Sequence, residues 1–468
     1  MYSWSGPSRS GGGVGKALLM ASTALIAIAA NAGHAQAQSS PQALQNKIDR
    51  LEQELQSMKG QLQGVVQQQQ KQETAAASSP GVKVSTGGGL KIETTDGNFV
   101  GQFGGRILTD TAFYNQDKTR LGDGSEFRSV RLEASGKAYR DWIFKIQGEF
   151  GSGTTTLADT YIGYTGVKPL ELVVGNILPP ISLDALISNK YTTFMEPALP
   201  QQTLQGRRIG VQATARGSNW TAVAGAFSSS VGNTDATRNN GDSGYNLAAR
   251  VTYAPILQKD RVVHLGFGVA DFNPQSESFT IGPRPESHVT TANMINTGAL
   301  ANVDNAITLQ PELAAVFGPF SVQGEYQHLA VNRGNVSGDL SFNGWYAQAS
   351  YILTGESRPY QLNDQPYSGD FGRVQPKRSL TDGGIGAWEI AARYSALNLT
   401  DNGVRGGGEK DITLGLNWYA TSNVRFMLNY IKVNTDNDAN STGPLLPGQT
   451  TRGNDDPSIV QARAQVDF

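Results

Sequence analysis

The chain has 468 residues, 55 glycines, no cysteine and a formal net charge of −2, with a mean hydropathy of −0.34 and a pI near 6.1. The lack of cysteine excludes disulfides, thiolate metal sites and lipid-bearing cysteine, and the near-neutral balance leaves no basic footprint for nucleic acid. A hydrophobic content of 38%, with no long apolar run after the start, argues against a helical membrane protein. A transmembrane barrel, in contrast, keeps its apolar residues at alternate positions and its average hydropathy low.

Arg9 and Lys16 precede an apolar run from Ala17 to Ala30, and Ala35-Gln36-Ala37 follows. Basic, apolar and small-residue regions in this order predict a signal peptide over 1–37, cleaved after Ala37. The run is too short and too rich in alanine to serve as an anchor across a hydrocarbon core of about 30 Å. Gly11 to Lys16 looks like a phosphate-binding loop but is followed by Ala17, where that motif needs Ser or Thr. From Leu44 the apolar spacing changes. Leu44, Ile48, Leu51, Leu55, Met58, Leu62 and Val65 alternate by four and three residues, the seam of a coiled coil over 41–73 or of an amphipathic helix lying on another surface. The stretch 74–95, polar and rich in Ala and Ser at its start, is expected to be a linker.

The remainder, 96–468, reads as strands. In Val130–Ala138 the even positions are apolar or small while Arg131, Glu133, Ser135 and Lys137 take the odd ones, the period of a strand with two unlike faces. Arg140-Asp141 turns the chain; Trp142, Phe144, Ile146 and Phe150 then continue the apolar face. Sixteen such runs can be placed, from 99–116 to 458–468. Tight connections such as Arg140-Asp141, Gly217-Ser218, Gly318-Pro319 and Ala420–Ser422 alternate with long ones over 178–205, 229–243, 273–305, 398–408 and 435–457. Short inner turns and long outer loops are the habit of outer-membrane barrels. One connection, 355–383, breaks the alternation by being long on the short side. Apolar faces end repeatedly in Trp or Tyr, as at an interface belt, and the chain stops on Phe468. The fold expected is therefore all-β: a 16-stranded antiparallel transmembrane β-barrel preceded by a short helical coiled coil.

Several motifs in order resemble the phosphate-selective porins O and P. They include Phe127-Arg-Ser-Val-Arg-Leu132, the strand Asp159–Tyr164, Lys168–Gly175, Ser188–Glu196, Gly206–Val211, Tyr351–Glu356, Phe371–Lys377 and Gly386–Tyr394. The resemblance covers most of the chain after about residue 90. It implies a homotrimer of barrels in the outer membrane of a Gram-negative bacterium, with the helical stretch in the periplasm and outer-membrane lipid around the barrel. It also implies that 178–205 folds inward to narrow the pore, that 355–383 reaches into the lumen, and that small anions, phosphate or polyphosphate among them, pass. A desolvating anion needs fixed positive charge and donors at a constriction. The residues this assigns to the pathway are Arg128, Arg131, Lys190, Arg207 and Arg208, with Asp159 opposite, and Arg373, Lys377 and Arg378 in the inner segment. The family pattern is thinned at Leu178, Ser129 and Pro197, where basic residues are usual.

Independently of the resemblance, lumen parity holds nine basic side chains (Arg106, Arg131, Lys137, Lys145, Arg208, Arg250, Arg393, Arg425, Arg463) against nine acidic ones (Glu133, Glu149, Asp159, Glu171, Glu312, Glu325, Glu389, Asp411, Asp467). The walls balance, so selectivity depends on where each sign clusters. A general diffusion porin without phosphate preference and a non-conducting envelope tether are the other readings of the same features. Catalysis is not expected: the histidines are His34, His264, His288 and His328, the first within the signal, and no nucleophile–base pair is legible. No cofactor or metal is expected either.

Overall fold

The computed structural model describes residues 40–78, 81–86, 89–231, 244–274, 276–334, 338–362 and 366–468. The expected signal peptide lies outside them. The chain divides into two compact units at Pro80 and Gly81. In the first, helix α1 spans Pro41–Ser78 and carries its apolar seam exposed, with Leu51 and Leu55 more than half accessible. It runs on into the expected linker because Gln and Ala are good helix formers. The same linker range holds a missed hairpin, Val82–Ser85 with Leu90–Thr94, whose strands are too short for alternation to register.

The second unit is a closed antiparallel barrel of 16 strands. In chain order they are β1 Phe99–Asn115, β2 Gly124–Ala138, β3 Trp142–Glu149, β4 Thr160–Tyr164, β5 Leu170–Ile177, β6 Arg208–Arg216, β7 Trp220–Phe227 and β8 Tyr245–Leu257. There follow β9 Arg261–Asn273, β10 Val303–Phe317, β11 Phe320–Arg333, β12 Leu340–Ile352, β13 Ala387–Asp401, β14 Val404–Tyr419, β15 Val424–Thr435 and β16 Ser458–Asp467. Pairing of β16 with β1, Asp467 opposite Arg106, closes the ring and leaves no sheet edge.

The faces are inverted relative to a soluble sandwich. Leu132, Ile146, Ile162 and Val174 are exposed, while Gln147, Glu171, Arg250 and Asn417 are buried. Apolar side chains outside and polar ones inside are stable only against lipid. An aromatic belt marks the end with short turns: Trp142 packs on Tyr164 at 4.9 Å and Trp388 stacks on Trp418 at 5.5 Å between ring centres. Gly318, at φ +58°, makes one of those turns possible.

Two connections differ from the sequence expectation, and a third is the one that breaks its alternation of short turns and long loops. The range 398–408 is not a long loop: β13 and β14 pair as far as Asp401 and Val404, turning through Asn402 and Gly403, both at positive φ. Asn-Gly is a two-residue hairpin signal, concealed here by polar flanks. The β9–β10 connection folds inward instead of staying at the surface, and buries Glu286 against Arg393, Ser395 and Thr413. The long β12–β13 connection enters the barrel from the short-turn end. There Tyr360–Gln361 pairs with Asp370–Phe371, and Arg250 on β8 donates to the carbonyls of Ser368 and Gly369.

Candidate functional site

The loop between β5 and β6 lies inside the barrel. Pro179 and Pro180 stiffen its entry, and Ser182 caps the single turn α2, Leu183–Leu186, by accepting from the Ala185 N–H at 3.2 Å. The N–H groups of Leu183 and Asp184 donate to Glu312 and Glu325 on β10 and β11 at 2.8 Å each. The Asp184 carboxylate accepts from Ala198 N–H at 3.2 Å, which ties the two limbs together. Burial raises this carboxyl's pKa, and Arg393 offsets only part of the rise.

The middle of the loop is laid along β13–β16. Asn417 donates to Thr193 O at 2.8 Å, Arg425 to Thr192 O at 2.7 Å, and Arg463 to Met195 O at 2.7 Å. Met195 N–H donates to Asn429 Oδ1 at 3.0 Å. Glu196 fastens this limb. Its carboxylate accepts from Arg128 on β2 through Nε and Nη2 at 2.8 and 3.1 Å, and from Arg463 on β16 at 2.8 Å. Burial alone would raise its pKa, but the two guanidiniums outweigh burial and hold it at about 2.

This placement divides the balanced walls. Behind the loop and the inward β9–β10 and β12–β13 connections, Arg250, Arg393, Arg463, Glu312, Glu325, Glu389 and Asp411 are all buried, several as ion pairs such as Arg250–Glu312 at 2.7 Å and Arg463–Asp110 at 2.6 Å. The opposite wall, β1–β5, stays open. Between it and the loop lies a cavity of about 1170 Å³ lined by ten Lys or Arg and five Asp or Glu.

Of the residues singled out from sequence, Arg128, Arg131, Lys190, Arg207, Asp159 and Arg373 line this cavity, and Arg208, Lys377 and Arg378 do not. Arg208 turns to Gln205 and the Ser228 carbonyl, Lys377 binds the carbonyl of Gly355 at 2.7 Å, and Arg378 is exposed at the inner end. Most lining cations already have a carboxylate. Arg131 meets Glu149 at 3.0 Å, Arg207 meets Asp159 at 2.6 Å, Lys190 meets Glu133 at 3.6 Å, and Arg373 pairs with Asp467. Tyr367 of the inner segment donates to Asp159 at 2.9 Å and accepts from Leu178 N–H.

Arg106 is different. It stands opposite Arg131 in the β1–β2 register, and its guanidinium donates to two hydroxyls, Ser129 at 3.0 Å and Ser188 at 3.4 Å. Among the described residues it makes no ion pair with a carboxylate, and neither do Lys137 and Lys145 in the same cavity. The sequence placed all three on lumen parity without showing which cations lack a counter-ion. Lys91 and Arg140, which also line the cavity, were hidden in a supposed linker and a turn.

A closed barrel with an apolar exterior, a polar interior and an inward loop is the structure of an outer-membrane porin, a channel of the Gram-negative outer membrane. Residues 102–468 match the family described as phosphate-selective porin O and P, and the chain belongs to that family. Porin O of Pseudomonas aeruginosa is 28% identical over 407 residues, covering 79% of this chain and 91% of that protein. An uncharacterized protein of Caulobacter vibrioides is 30% identical over 413 residues, covering 84% and 78%. Among solved structures, an anion-selective porin from Comamonas acidovorans shares the fold at a TM-score of 0.51 and 14% identity, with 79% of this chain and all of that one covered.

Proposed function

We propose that this porin passes small anions in preference to cations and holds phosphate only weakly. The observation that supports this is the partition of charge by the inward loop, which leaves a cavity with twice as many basic as acidic side chains. A low-dielectric lumen focuses that excess on entering ions. Arg106, with two serine hydroxyls beside it and Arg131 across the strand pair, supplies donors that no carboxylate has claimed. Arg128, Arg131, Arg207 and Arg373 are each engaged by an acid, so phosphate must compete for them. Leu178 and Pro197 contribute no charge to the lining. The anion therefore keeps part of its water, binds weakly and leaves quickly, as throughput requires.

The working unit is a homotrimer, with α1 pairing its Leu, Ile, Met and Val seam against the other copies in the periplasm. Reversal potentials across a planar bilayer in a salt gradient, repeated with added phosphate, test the selectivity. Anion preference with phosphate block only at millimolar concentration is expected. Cation preference would refute the proposal, and no phosphate effect at any concentration would make the channel a general diffusion pore.

A further inference from the structure

The lipid-facing wall over β13–β16 is apolar from the aromatic belt upward. At its outer end two charges break the pattern: Lys410 on β14 and Lys432 on β15 are both exposed and outward-facing. Among the described residues, the outward positions of these four strands carry no other charge between Trp388 and the Asn398–Gly408 pair. The two lysines are diagonal neighbours, since Lys410 lies opposite Asn434 and Lys432 opposite Ile412. Ile412 and Leu414 directly below them are half exposed, as lipid-facing residues are. A polar row continues around the barrel at the same level. His328 and Asn343 face each other on β11 and β12, with His328 Nδ1 2.8 Å from Asn343 Oδ1, and Asn343 is opposite Asn398 on β13. This row marks where hydrocarbon ends and outer-leaflet headgroups begin.

Among the described residues, neither ammonium makes an ion pair. Lys432 donates to the backbone carbonyl of Asp456, whereas the Asp456 carboxylate is taken by Asn434 at 3.0 Å and by Thr435 N–H at 3.2 Å. Lys410 makes no ion pair among the described residues. Two adjacent ammoniums at headgroup depth attract an anionic headgroup, and their long stems can follow it.

We infer that Lys410 and Lys432 form a docking site for the phosphate group of an outer-leaflet glycolipid, on the outside of the barrel and separate from the pore. The occupant is a lipid because the site stands at the upper edge of an apolar wall, so that acyl chains can cover Ile412 and Leu414 while the phosphate meets the lysines.

Native mass spectrometry of the folded full chain in detergent, titrated with bisphosphorylated lipid A, tests this. Wild type should retain the lipid, and Lys410→Gln with Lys432→Gln should bind about tenfold more weakly, since each surface lysine adds a modest electrostatic increment. The paired arginine substitutions should restore binding, and single-channel conductance should be the same in all variants. On the wild-type protein alone, lipid A stripped of its phosphates should bind as weakly as the glutamine variant, so the inference does not depend on the variants folding. Equal retention by wild type and the glutamine variant, indifference to the lipid's phosphates, or displacement of the lipid by an equal concentration of inorganic phosphate would each overturn the inference.

Discussion

Arg106 is the side chain on which the proposed anion preference leans most, because its hydrogen bonds go to Ser129 and Ser188 and it makes no ion pair with a carboxylate among the described residues. Arg106→Gln removes that charge at the loss of hydrogen bonds worth about 1 kcal/mol each. The barrel should assemble, the reversal potential should move toward zero, and phosphate block should weaken; a change in melting temperature without a change in selectivity would assign Arg106 a structural role only. Glu196 acts in the opposite sense, as a fastener. Its folded pKa of about 2 lies below the ordinary value of 4.5, so its contribution is complete above pH of about 4.5 and is lost as pH falls through about 2. Conductance should therefore be insensitive to this group between pH 8 and 5, and the loop should loosen reversibly at more acid pH, seen as added open-channel noise. Glu196→Gln should show that noise at neutral pH. Removing one member of a mostly buried pair costs about 3 kcal/mol, enough to release a loop limb without unfolding the barrel.

At the scale of elements, the β5–β6 loop does more than narrow the lumen. It is laid against Glu312 and Glu325 through the N–H groups of Leu183 and Asp184, and against Glu389 through Asn417, which also holds Thr193. Deleting 182–196 should raise single-channel conductance and, by uncovering those carboxylates, shift selectivity away from anions. Planar-bilayer recordings at two salt concentrations measure both. A folded deletion with unchanged conductance would place the loop outside the current path. The inner β12–β13 segment supports the same arrangement from the short-turn end, since Tyr367 joins Asp159 to the start of the loop at Leu178.

For the molecule as a whole, the apolar outer face and the exposed seam of α1 are two separate surfaces: lipid meets the first, and in the trimer proposed above the helices of the other copies cover the second. Leu51→Asp and Leu55→Asp place charges in the seam while touching no barrel strand. The helical contribution should lose cooperativity on heating, followed by far-ultraviolet circular dichroism, while the barrels stay folded and trimeric in detergent by light scattering. A monomer from the native protein would remove the trimer from the proposal.

The sequence by itself determined the strands and their sidedness, because alternation is a local property: Val130–Ala138 reads the same on paper as in the barrel, and the positions of β1 to β16 differ from expectation by a few residues at their ends. It also carried the family, through motifs of contiguous residues such as Phe127–Leu132. It misread 398–408, where an Asn-Gly turn lay inside polar composition, and it passed over the hairpin at Val82–Thr94, too short to show a period. Parity placed nine charges of each sign on one face without separating them, since a strand does not record what will be laid against it. Only the tertiary structure decided that the loop is laid against Glu312, Glu325 and Glu389, and that Arg106, Lys137 and Lys145 line the cavity with no ion pair among the described residues. That outcome depends on hydrogen bonds between residues more than two hundred positions apart, such as Arg425 to Thr192 and Arg463 to Met195, and contacts of that range have no local signature.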